Sequence, residues 1–401
     1  MHAAESGSEF RIEIVATFKP DTACSRPAPV RTQTQEFRLF LRPPTSSRSP
    51  LHLLVLGYIE STAVRQTAMT QKNRTPIDDA SAWTGKELEA SDDWIWRLDE
   101  HDIDEFDAAL ASAKRLNRPW QETTAGDFPL PRLADRLKAT ARRLEHGRGV
   151  TLIRGMPIDR YELDDLKRLY LGLGSHMGAA VIQNGGAGLM REVRDSGGPR
   201  VESPSKLSWH NDRADVVALL CLRKAAKGGV SRIVSATAIY NALLERRPDL
   251  AELLFGDFYR SSIGDEVGTD APYYMLPVFT MQGSAFTSDL SRVYIDQAQA
   301  FPEVPRLSDA QTEALDMLVD LSEELCYEHM IEPGDIQMLN NHVTYHGRTA
   351  FEDDADAGRD RFLLRLWLMT PESRRLPKDQ ASLWSSAELT NSRISEIRPA
   401  S

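Results

Sequence analysis

Apolar residues recur along this chain at two spacings, and each spacing predicts a different kind of element. Helical spacing runs through 102–114 (Ile103, Phe106, Ala109, Leu110), through 131–145 (Leu133, Leu137, Leu144 against a basic face) and through 163–173. It returns at 238–246, at 248–254 and at 309–325, where Ala314, Leu315, Leu318, Leu321 and Leu325 share a face. Between these lie apolar runs of strand length at 150–155 and 216–222, a turn and strand at 228–235, shorter ones through Phe279 and Phe286, and a last one at 361–368. Short strands broken by turns and flanked by helices predict an α+β protein with a double-stranded β-helix of the jelly-roll type. No internal repeat is visible.

The last strand carries more information than its length suggests. Alternation puts Arg361, Leu363, Arg365 and Trp367 on one face and Phe362, Leu364, Leu366 and Leu368 on the other. The second set is uniformly apolar and suits packing against helices, so the arginine face is expected to line a cavity. A buried guanidinium without a partner is costly, which implies an anion there, either a ligand or a structural Asp or Glu.

The pattern fails before residue 70. Pro, Ser, Thr and Arg alternate with isolated apolar runs, and no period is sustained from 17 to 50. Residues 1–70 therefore read as a poorly ordered N-terminal extension, with Met69 as the translation start or, alternatively, a genuine flexible segment ahead of the domain. A single domain is expected over 71–401, with its core at about 150–375. The stretch 183–204 is rich in Gly, Ser and charge but lacks phosphate-loop spacing; it reads as a solvated loop or as a lid over a pocket.

Composition narrows the function classes. The 401 residues are 41% hydrophobic and 27% charged, as in a globular protein, and the formal net charge of -11 argues against a nucleic-acid partner. The apolar run at 51–59 is too short for a membrane span. Cys24, Cys221 and Cys326 are odd in number and widely spaced, so neither a disulfide framework nor a thiolate metal site is indicated, and a reducing, cytoplasmic setting is expected. A small-molecule substrate fits best, and a homo-oligomer is compatible with all of this.

The candidate chemistry lies at 207–212, Leu-Ser-Trp-His-Asn-Asp. On an extended strand His210 and Asp212 would point to the same side, and with one distal histidine they would form a two-His, one-carboxylate metal site. The segment Asn340-Asn341-His342-Val343-Thr344-Tyr345-His346-Gly347-Arg348 offers two candidates for that histidine, His342 and His346. Trp209 reads as core, and His101, His146, His176 and His329 have no partner at ligand spacing.

Taken in order, His-x-Asp, Gly228-Gly229-Val230-Ser231, the distal histidine and the arginine strand resemble the taurine dioxygenase family of iron(II)- and 2-oxoglutarate-dependent dioxygenases, over about residues 130–375. The resemblance implies Fe(II) held by His210, Asp212 and His346, with 2-oxoglutarate and O2 as co-substrates. It favours His346 over His342 because of the following Gly347-x-Thr349 turn and the distance to the arginine strand, leaving His342 beside the site or facing solvent. It aligns Arg361 with the arginine that binds 2-oxoglutarate and Arg365 with one that can meet an acidic substrate, roles that could be exchanged. Ser231 falls where the family carries a hydroxyl that helps hold the co-substrate, although an ordinary turn hydroxyl is an equal reading. Retention of Asp212 favours hydroxylation or desaturation over halogenation. The competing expectations are a jelly-roll protein that binds metal or a small acid without turnover, and a cupin-type dioxygenase needing no co-substrate.

Overall fold

Two antiparallel ladders supply the framework. In the computed structural model, which describes residues 74–183, 188–198, 202–263 and 271–384, the larger sheet orders Ile95–Arg97, Val150–Arg154, Ile336–Asn340, Val216–Arg223, Phe362–Met369 and Ala179–Ala180, with Met190–Val193 also paired to Phe362–Met369. All its pairings are antiparallel except that of Ile95–Arg97 with Val150–Arg154. The smaller sheet orders Tyr327–His329, Ser231–Ser235, Thr344–Arg348 and Leu207–His210, antiparallel throughout. Gln71–Ser401 is a compact unit; the expected extension over 1–70 and the start at Met69 fall outside the described residues.

Each sheet has its own helical cover. Glu100–Arg115, Leu133–His146 and Leu163–Ser175 place Phe106, Leu137 and Leu169 in one core with Phe362, Leu364, Leu366 and Leu368, the apolar set that alternation assigned to helix packing. The approach is close at Gly174, where a Cβ would come within 2.6 Å of Leu366 Cδ2. On the smaller sheet, Ala236–Arg246 and Asp309–Leu325 bring Ile239, Leu243, Leu315 and Leu318 against Trp209, Val234 and Tyr345. The helix expected from 238 begins at Ala236, because the Ser235 hydroxyl caps it by accepting from the Ala238 N–H at 2.9 Å.

A third apolar core joins the sheets to each other. Ile233 of the smaller sheet packs with Val217, Leu339 and Trp367 of the larger one. Among the described residues the architecture is thus α+β, with helices flanking two facing sheets.

One local expectation needs correction. The strand carrying His210 ends there, so Asp212 lies in the following loop and its direction does not come from strand alternation. Side-chain amides set the loop instead. Asn341 Oδ1 accepts the Asp212 N–H at 3.1 Å, Asn341 Nδ2 donates to Ala214 O at 2.9 Å, and Asn211 Nδ2 donates to Ser288 O and Asn341 O at 3.0 and 2.9 Å. A buried loop must satisfy its backbone groups locally, and these two asparagines do so.

Candidate metal centre

His210 and His346 face one another in register across neighbouring strands, with ring centroids 4.3 Å apart. Asp212 completes the group: its Oδ1 is 4.0 Å from His210 Nε2, and its Oδ2 is 3.9 Å from His346 Nε2. One ligand atom from each of the three lies within 4.8 Å of the others, and all three residues are buried. Two imidazoles and a carboxylate at this spacing fit a divalent transition metal such as iron.

Hydrogen bonds orient two of these three side chains. His210 Nδ1 sits 2.8 Å from Ser208 O, so a proton on Nδ1 turns the lone pair of Nε2 towards the group. Burial lowers the pKa of His346, against the opposing pull of Asp212, and keeps its ring neutral. Burial would raise the Asp212 pKa, but the Arg365 guanidinium, then the two imidazoles and the Trp367 indole, bring it to about 2. Arg365 Nη1 lies 3.3 and 3.4 Å from the two Asp212 oxygens, and Trp367 Nε1 donates to Oδ2 at 3.0 Å. Asp212 is therefore a fixed carboxylate at neutral pH.

The last strand begins at Phe362 rather than at Arg361, and the two arginines differ in their commitments. Besides Asp212, Arg365 donates from Nε to Gln183 Oε1 at 2.8 Å, while Gln183 Nε2 returns a bond to Arg365 O at 2.7 Å. Arg361 sits just ahead of strand Phe362–Met369, and its buried Nη1 has no hydrogen-bond partner among the described residues. Burial, then the neighbouring Arg348, holds its pKa down to about 10, still cationic at neutral pH. Arg348, likewise lowered to about 10 by burial, donates to Ser203 O at 2.8 Å and Thr349 O at 3.1 Å. Neither Arg348 nor Arg361 meets a carboxylate at ion-pair distance among the described residues.

Both line the same cavity as His210, His346, Ser231, Gln337 and Arg365, with Val193, Leu207, Leu219 and Ile331 as its apolar wall. Ser231 Oγ donates to Gln337 Oε1 at 2.8 Å. The remaining candidate, His342, lies outside this group. It is fully buried rather than solvent-facing, stacks on Trp384 at 4.5 Å, and has Nε2 3.1 Å from both Asp215 Oδ1 and Ser373 Oγ. Of the stretch 183–204, residues 184–187 and 199–201 are not described; Gln183 reaches Arg365, and Ser203 meets Arg348.

The motifs of the sequence point to no role for Gln183, Gln337, Asn211, Asn341 or Arg348. A signal existed for Gln337, an amide flanked by Ile336, Met338 and Leu339 in a fully buried strand. None existed for Gln183, whose partner is 182 residues away.

Comparison with known proteins accords with this geometry. The family described as taurine catabolism dioxygenase TauD, TfdA matches residues 113–367. The chain is 31% identical over 330 residues to FR-33289 synthase of Streptomyces rubellomurinus, covering 77% of this chain and 95% of that protein. It is 28% identical over 324 residues to the taurine hydroxylase-like protein SAT17 of Stachybotrys chartarum, covering 75% and 82% respectively. Among solved structures, asparagine oxygenase in complex with Fe(II), 2S,3S-3-hydroxyasparagine and succinate shares the fold at a TM-score of 0.56 and 20% identity, over 69% of this chain and 94% of that one. The chain belongs to the TauD, TfdA family and is an iron(II)- and 2-oxoglutarate-dependent oxygenase.

Proposed function

We propose that His210, Asp212 and His346 hold the iron of this oxygenase, and that the cavity beside them receives 2-oxoglutarate, with Arg361 meeting its far carboxylate. The observation that carries this reading is the pairing of a buried two-His, one-carboxylate group with a buried guanidinium whose Nη1 has no partner among the described residues, both in the lining of one cavity. Bound there, iron(II) with 2-oxoglutarate and O2 supplies oxidative decarboxylation of the co-substrate to succinate, coupled to hydroxylation or desaturation of a small organic substrate.

The chain's own groups do the holding. Ser208 O keeps His210 in one tautomer, and Arg365 with Trp367 keeps Asp212 charged and oriented. Val193, Leu207, Leu219 and Ile331 keep the wall apolar, which strengthens every charge interaction inside. Because Arg365 is already engaged by Asp212 and Gln183, we assign Arg361 to the co-substrate and Arg365 to the metal's carboxylate, from where it can also reach an acidic substrate.

The two facing sheets fit a double-stranded β-helix, and we read 71–401 as one dioxygenase domain. No helix among the described residues is long and apolar enough to cross a membrane. Buried Cys221 and partly buried Cys326 are free, in keeping with a reducing cytoplasm.

Succinate formation tests the reading. Under air, with iron(II), 2-oxoglutarate and a panel of amino acids, sulfonates and small carboxylic acids, at least one compound is expected to accelerate succinate release. No succinate across the panel would favour a metal- or acid-binding protein without turnover.

A further inference from the structure

We infer that Gln337, aimed by His329 and Ser231, is a second donor to the far carboxylate of 2-oxoglutarate, beside Arg361. This rests on the reading of the cavity as the co-substrate site. Gln337 is 1% exposed on the Ile336–Asn340 strand, and its side chain bridges the two sheets. Its Oε1 serves two neighbours, accepting from Ser231 Oγ at 2.8 Å and lying 2.7 Å from His329 Nε2. Burial lowers the His329 pKa, so the ring is neutral and can carry its single proton on Nε2, donating to that oxygen.

With Oε1 held from two sides, the amide orientation is set by its network, and the NH2 group is turned away from both partners. Gln337 Nε2 is buried and has no acceptor among the described residues. Gln337 lines the same cavity as Arg361, whose Nη1 also lacks one. A buried donor without an acceptor is costly, and two in one cavity call for one anion. A carboxylate has two oxygens, one for each donor. The reversed amide would turn a carbonyl oxygen towards that anion.

The arrangement changes what Ser231 does. Its hydroxyl proton is directed to Gln337 Oε1, so Ser231 is a positioning residue acting through the amide, as is His329.

The test is anaerobic titration of the iron-loaded enzyme, following the charge-transfer absorbance that a bound 2-oxo acid gives with iron(II), with 2-oxoglutarate and with 2-oxopentanoate, which lacks the far carboxylate. Gln337→Met is expected to weaken 2-oxoglutarate about 10- to 100-fold, as for loss of a hydrogen bond to a charged group, and to leave 2-oxopentanoate unchanged. Gln337→Glu, nearly the same shape, is expected to weaken it further by repulsion. Ser231→Ala is expected to cost less than Gln337→Met and to add nothing in the Gln337→Met background, since residues acting as a unit are not additive. Wild-type affinity for 2-oxoglutarate in both Gln337 variants, or equal losses for both 2-oxo acids, would overturn the role of Gln337. Additive losses would overturn the positioning role of Ser231. A wild-type enzyme that binds iron but gives no band with 2-oxoglutarate would instead overturn the reading of the cavity itself.

Discussion

Arg361, just ahead of strand Phe362–Met369, and Arg365, within it, are four residues apart, yet their surroundings give them different work. Arg365 is engaged by Asp212 and Gln183, whereas Arg361 Nη1 has no hydrogen-bond partner among the described residues, although its guanidinium lines the same cavity. Arg361→Ala is therefore expected to weaken 2-oxoglutarate by about 2–5 kcal/mol, the cost of removing one member of a buried charge pair, with iron affinity retained. Arg365→Ala is expected to lower iron affinity, because Asp212 loses the main charge that opposes its burial. Separate titrations of iron and of 2-oxoglutarate check this; iron binding that survives Arg365→Ala and fails in Arg361→Ala would reverse the roles. Both arginines were visible in the sequence through strand alternation. Their division of labour was not, since it depends on Gln183, a residue brought in from a distant loop.

The segment between strands Ile336–Asn340 and Thr344–Arg348 shows how side chains, rather than periodicity, order a loop. Here Asn341 orders the Asp212 loop, and His342 turns away from the metal group to stack on Trp384 of the short helix Lys378–Trp384. Burial lowers the His342 pKa, against the attraction of Asp215. For a histidine whose folded pKa lies below its unfolded value of about 6.5, the unfolded chain takes up the proton first, so stability is full above about pH 6.5 and declines as pH falls. His342→Gln is expected to flatten that decline between about pH 6.5 and 5, followed by denaturant unfolding of the metal-free protein. An unchanged slope would show that His342 does not titrate on unfolding. Helices and strands were legible because their apolar faces repeat, as at 309–325, which is helical from Asp309 to Leu325. The Asp212 loop was not, because amide side chains rather than periodicity hold it. His210 and Asp212 do come within 4.0 Å of each other, but the strand, ending at His210, does not supply the reason.

The candidate metal group and the cavity lie where the two sheets face one another. His210, His346 and Ser231 come from the smaller sheet and Gln337 and Arg365 from the larger, so the site exists only when both ladders have formed. Every group named in it belongs to the compact unit Gln71–Ser401. Removing residues 1–68 is accordingly expected to leave iron and 2-oxoglutarate affinities within about twofold of the full chain, a change of under about 0.5 kcal/mol. A large loss would mean that the first segment contributes to the site.

On the proposed reading, His210, Asp212 and His346, and not His342, bind the iron that 2-oxoglutarate joins. Anaerobic iron(II) titration of the His346→Ala and His342→Ala variants, with the 2-oxoglutarate charge-transfer band as readout, tests it most directly. His346→Ala is expected to abolish the band, while His342→Ala keeps it at wild-type iron stoichiometry despite lower thermal stability. A band that persists in His346→Ala and disappears from a folded His342→Ala would contradict it.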